Sequence, residues 1–101
     1  MGIRGEILRF MLDTKKNMEI VVRGDYDFRI EFFKRIDFSK TDFSCHPYMS
    51  FVEYYVWAYR GGERVYSDVF YNDITKAVDR FLCLCKENSL LDKLNILWSE
   101  T

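Results

Sequence analysis

The pair Gly61-Gly62 divides two strand-like runs, FVEYYVWAYR before it and ERVYSDVF after it, and a helical pattern follows at once. Both glycines tolerate positive φ, which the central positions of a two-residue hairpin turn require. A chain with this feature is committed to an antiparallel hairpin. Its side chains are then assigned to faces by counting outward from the turn. Counting pairs Arg60 with Glu63, Tyr59 with Arg64, Ala58 with Val65, Trp57 with Tyr66, Val56 with Ser67, Tyr55 with Asp68 and Tyr54 with Val69. One face is predicted to carry Val52, Tyr54, Val56, Ala58, Val65, Ser67 and Val69, a smooth surface suited to helix packing. The other is predicted to carry Glu53, Tyr55, Trp57, Tyr59, Arg64, Tyr66 and Asp68, where large rings mix with charges.

The flanking segments extend this unit. Ile3, Ile7, Leu8, Met11 and Leu12 recur at helical spacing, with Phe10 off the stripe, and the pattern fails near Thr14 to Asn17. MEIVVRGDYDFRIEFFKRIDF reads as a second hairpin with Gly24-Asp25 as its turn. Tyr26, Phe28, Ile30 and Phe32 alternate with charged residues there, and Met18, Ile20 and Val22 line the same face. Phe33 breaks that alternation. DFSKTDFSCHPYM is a loop. Asn72 or Asp73 caps a helix whose stripe runs Ile74, Ala77, Val78, Phe81, Leu82 and Cys85, ending near Asn88. Ser89 and Asp92 resemble a capping box before a short final helix with Leu90, Leu94, Leu97 and Trp98. The expected fold is α+β over residues 1–101 as one small domain. It has a four-stranded antiparallel sheet of two hairpins, with an N-terminal helix and two C-terminal helices mainly on one face.

Charge and targeting signals narrow the function classes. Fifteen Lys and Arg against 16 Asp and Glu leave the chain nearly neutral, unlike a phosphate-tracking protein or an acidic nucleic-acid mimic. No apolar run approaches the length of a membrane span, and charges interrupt the N-terminus where a secretory signal needs an apolar stretch. The three cysteines are an odd number, consistent with free thiols in a reducing compartment. These features predict a soluble, cytoplasmic protein without membrane contact.

No chemistry-bearing motif emerges. Cys83 and Cys85 are two apart on a helix, so their thiols point about 200° apart and cannot converge on one ion with Cys45 and His46. The neighbours Cys45 and His46 could supply a nucleophile and a base, the basis of a small-hydrolase reading. RGGER joins strands and does not open a helix, so it is no phosphate loop. No catalytic residue, metal site or cofactor is expected.

The aromatic hairpin face has three readings. Its rings can pack on one another and stiffen the hairpin. They can anchor a protein partner, because Tyr, Trp and Arg bury large area and keep a polar tip. They can stack bases, although Glu53 and Asp68 on the same face oppose that. The short helix IRGEILRFML and the segment VYSDVFYNDITKAVDRFLCLCKEN give a layout that resembles small phage-encoded anti-CRISPR proteins, which inhibit RNA-guided nucleases. The resemblance covers about half the chain and transfers no residue roles. It implies a non-enzymatic inhibitor whose partner is a larger protein, a CRISPR effector nuclease. The near-neutral charge implies docking by aromatic and shape contacts. Immunity and antitoxin proteins share the layout. The expected partner-binding residues are Tyr55, Trp57, Tyr59, Arg64, Tyr66 and Asp68. Direct nucleic-acid binding is the alternative, and the same face can pair with its own copy as a homodimer.

Overall fold

The computed structural model describes residues 2–12, 17–37, 51–90 and 97–100, with Asp37, Phe51 and 97–100 described by backbone alone. Its elements run α1 (Ile3–Leu12), β1 (Met18–Arg23), β2 (Phe28–Asp37), β3 (Phe51–Arg60), β4 (Glu63–Tyr71), α2 (Ile74–Glu87) and β5 (Leu97–Glu100). The sheet order is β4-β3-β2-β1-β5, antiparallel at every pairing. The α+β class and an antiparallel sheet containing the two expected hairpins agree with expectation, but the sheet has five strands where four were expected. The end of the chain supplies the fifth. Leu97 and Trp98, expected in a short final helix, lie in a strand, Leu97–Glu100, that pairs with β1, while Leu94 of that expected helix lies outside the described residues.

Side chains on one side of the sheet form the core. Met18, Ile20 and Val22 of β1 meet Phe28, Ile30 and Phe32 of β2 and Tyr54, Val56 and Ala58 of β3. Ile7 and Met11 of α1 cover them, with Ala77, Val78, Phe81, Leu84 and Cys85 of α2. Phe32 and Phe81 meet edge to face, with centroids 5.5 Å apart. Leu12, expected on the buried stripe, is exposed, and Phe10 packs against the core instead. Lys34 is buried among these apolar groups and donates from Nζ to the Met11 carbonyl at the end of α1. A cation there complements the negative end of the helix dipole. Burial pushes its pKa down.

The first hairpin turns later than expected. Its centre is Tyr26-Asp27, both at positive φ (59° and 58°), and the Phe28 N–H donates to the Asp25 carbonyl. The reason is parity. A two-residue turn at Gly24-Asp25 would set Val22 opposite Asp27 and Ile20 opposite Arg29. The observed register sets Val22 opposite Ile30 and Ile20 opposite Phe32, so apolar residues share a face. Tyr26 therefore leaves the expected core stripe and stands 90% exposed at the turn. The Gly61 N–H donates to the Asp27 carbonyl, which ties the two hairpin turns together.

Local chemistry delimits α2. The Asp73 carboxylate accepts from the Lys76 N–H at 3.1 Å, as an N-cap does. At the other end the Leu90 N–H donates to the Cys85 carbonyl and the Ser89 N–H to the Lys86 carbonyl. This is a Schellman motif with Ser89 in the left-handed position (φ 57°). Ser89 thus closes α2; Asp92, expected with it in a capping box, lies outside the described residues. Leu90 is buried directly over Gly24, where a Cβ would come within 2.8 Å of Leu90 Cδ2. Glycine usually fills such a left-handed position. Ser89→Gly is expected to raise stability by about 0.5–1 kcal/mol, read by urea denaturation, because relief of left-handed strain exceeds the added chain entropy. A loss of stability would show that the Ser89 side chain contributes more than its backbone costs.

Candidate partner-binding face

The sheet side opposite the core carries the rings. Cα partners across the strands divide it into rows. Nearest the turns lies Arg23–Arg29–Tyr59–Arg64, then Val21–Glu31–Trp57–Ser67, then Glu19–Phe33–Tyr55–Val69, and last Arg35–Glu53–Tyr71. Neither described helix packs on this side. Phe33, Tyr55, Trp57 and Tyr59 are half-buried, with ring–ring contacts among Phe33, Tyr55 and Trp57 and guanidiniums over Trp57 and Tyr59.

The rings form a continuous ladder. Tyr55 stacks on Trp57 at 5.1 Å and 29°, and Phe33 on Trp57 at 6.2 Å and 15°. The Arg64 guanidinium lies 4.7 Å from the Trp57 centroid, and its Nη2 donates to Tyr59 Oη at 2.7 Å. The Arg29 guanidinium lies 4.2 Å from the Tyr59 centroid and bonds Glu31 through Nε at 3.1 Å. Stacked rings and cation–π contacts each add stability beyond burial. Tyr55 Oη donates to the buried Glu53 carboxylate. That hydrogen bond, followed by burial, raises the Tyr55 pKa.

Four of the six expected residues, Tyr55, Trp57, Tyr59 and Arg64, stand together on this face. Tyr66 and Asp68 do not. A bulge between Ala58 and Tyr59 shifts the register, so Ala58 faces Tyr66, Trp57 faces Ser67 and Val56 faces Asp68. Val65 is the extra residue and stands 54% exposed. Tyr66 and Phe70 turn to the helix side and pack against the core edge. Tyr66 Oη donates to Asp68 there, and burial chiefly raises its pKa. Phe33 and Arg29 belong to the ladder, and counting from Gly61-Gly62 alone did not reach them. Their signal was parity on β2, where Phe33 shares the face of Arg29 and Glu31.

The thiols behave as helix geometry requires. Cys85 is buried, and burial holds its pKa at about 12. Cys83 is exposed, hydrogen-bonded to Glu87 at 3.4 Å, and that bond raises its pKa. Among the described residues no group of His, Cys, Asp and Glu could hold a metal ion. Cys45 and His46 lie outside the described residues. No described helix is long and apolar enough to cross a membrane.

Fold and face together define a small α+β domain with one sheet side covered by helices and the other bearing an aromatic–arginine ladder. No protein-family model, curated protein or solved structure matches this chain.

Proposed function

We propose that the chain is a non-enzymatic binding protein that docks its ladder face onto a larger protein and acts by occupying that protein's surface. The observation that carries this reading is the ladder itself. Rigid, half-buried rings held by guanidiniums need little ordering on binding, and Trp, Tyr and Arg supply most interface energy. Base stacking fits less well, because Trp57 and Tyr59 already have their π surface engaged by Tyr55, Phe33, Arg64 and Arg29. The resemblance in layout to anti-CRISPR inhibitors makes an RNA-guided nuclease the first partner class to try.

The test is capture of partners by the immobilised chain, followed by affinity measurement with the partner identified. Trp57→Ala and Tyr59→Ala are each expected to weaken binding by about 2 kcal/mol or more, roughly thirtyfold. Lys76→Ala, on α2 across the sheet, leaves affinity unchanged. Folded Trp57→Ala and Tyr59→Ala variants that bind as tightly as the parent would remove the reading.

A further inference from the structure

The row nearest the turns contains three arginines. Arg23, Arg29, Tyr59 and Arg64 are successive Cα partners across β1, β2, β3 and β4. Arg23 sits directly opposite Arg29, and like charges in that relation cost stability. Arg29 has Glu31 as its ion pair at 3.1 Å. Arg23 and Arg64 are exposed and have no carboxylate partner among the described residues. Tyr59 Oη accepts from Arg64 Nε and Nη2, which leaves its own O–H to donate. Arg23 and Arg29 also line a hollow at the turn end with Asp27, Gly61 and Gly62. Guanidinium and phenol donors thus outnumber the acceptors of Glu31 and Asp27.

We infer that this row receives an acidic segment of the partner protein, with one carboxylate at Arg23 and another at Arg64. The inference rests on the docking reading above and names the chemistry of the contact. Guanidiniums match carboxylates in a two-pronged geometry. Arg23 and Arg64 are separated by three strand spacings, about 14 Å, which an extended segment spans in about four residues. The segment therefore carries acidic residues about four positions apart. A phosphodiester chain would use the arginines equally well. It would also need ring faces for its bases, and those are engaged within the ladder.

The experiment titrates the ¹⁵N-labelled full chain with hexaglutamate at low salt and follows the arginine Nε–H signals. A parallel titration uses an octathymidylate strand. Hexaglutamate is expected to shift Arg23 and Arg64 more than Arg4 and Arg80, which belong to α1 and α2. The double substitution Arg23→Gln, Arg64→Gln is expected to weaken that binding about tenfold. Arg23→Gln alone should melt no lower than the parent, since it removes a like-charge neighbour. Equal shifts at Arg4 and Arg80, or no shift at any arginine, would overturn the inference. So would tighter binding of octathymidylate with signals moving at Trp57 and Tyr55. With the partner in hand, loss of binding in Trp57→Ala but not in the double arginine variant would overturn the acidic segment and leave the docking reading intact.

Discussion

Phe81→Ala is expected to remove about 3–5 kcal/mol of folding stability, as truncation of a fully buried ring does. Phe81 is 0% exposed at the middle of α2, where its ring meets that of Phe32, on the central strand β2, in an edge-to-face contact. Two terms add. The ring's transfer free energy is lost, and the sheet on one side and α1 on the other limit collapse of the cavity. Domains of this size have about 5–15 kcal/mol in total, so the variant should be marginal at 25 °C. Urea denaturation would show the midpoint falling with little change in slope. A double cycle with Phe32→Leu would return about 0.5–1.5 kcal/mol for the ring–ring contact. A loss below about 1 kcal/mol in Phe81→Ala would mean that α2 does not seat as described.

Alkaline pH should produce the next largest effect, through Cys85. Its folded-state pKa of about 12 lies above the ordinary thiol value of 9.0, because burial disfavours the thiolate. Between those values the folded protein keeps a proton that the unfolded chain has released. Stability therefore falls as pH rises through this window, by about 1.4 kcal/mol per pH unit at most, and Cys85 contributes no slope below it. Lys34 acts in the opposite sense. Its lowered pKa makes the folded state shed a proton before the unfolded chain does, so its contribution rises with pH below 10.5. Burial also raises the Tyr54 pKa, which adds to the alkaline loss. Comparing the parent with Cys85→Ala cancels Lys34 and Tyr54. The stability difference between the two proteins should be constant from pH 7 to 8.5 and then shift toward the variant. A constant difference up to pH 10.5 would refute burial of this thiol.

The positions of α1, α2 and the first three strands were legible because each buries a single periodic stripe, and β4 was legible from the Gly61-Gly62 turn that pairs it with β3. The exception among them is instructive. Tyr26 fits the alternation of β2 by spacing, yet the pairing of Ile20 with Phe32 requires an odd loop, which removes Tyr26 from the strand. That constraint was present in the sequence: two strands cannot both turn apolar residues inward across an even turn placed at Gly24-Asp25. The second hairpin offered no such test. On β4, Val65 and Val69 have one parity and Tyr66 and Phe70 the other, so either face could have been apolar. The choice fell to tertiary packing, in which Tyr66 and Phe70 reach the core edge beneath α2 and Val65 is expelled. The ladder was therefore readable on β3, whose alternation is unambiguous, and unreadable at Tyr66 and Asp68. Leu97–Glu100 carries too few residues for any period to show, and only its pairing with β1 identifies it.

The bulge at Val65 can be described as a phase slip. Side-chain direction along a strand is a wave of period two, and the extra residue advances that wave by half a cycle for the remainder of β4. Composition beyond the slip is unchanged, but its sidedness is inverted. Length variation in this edge strand therefore has an even–odd character. Between Arg64 and Tyr66, a change of two residues preserves which side chains join Trp57 and Tyr55 and which join the core. A change of one residue exchanges the two sets. The outer surface of the domain is thus encoded as much by the count of residues after Gly61-Gly62 as by their identity.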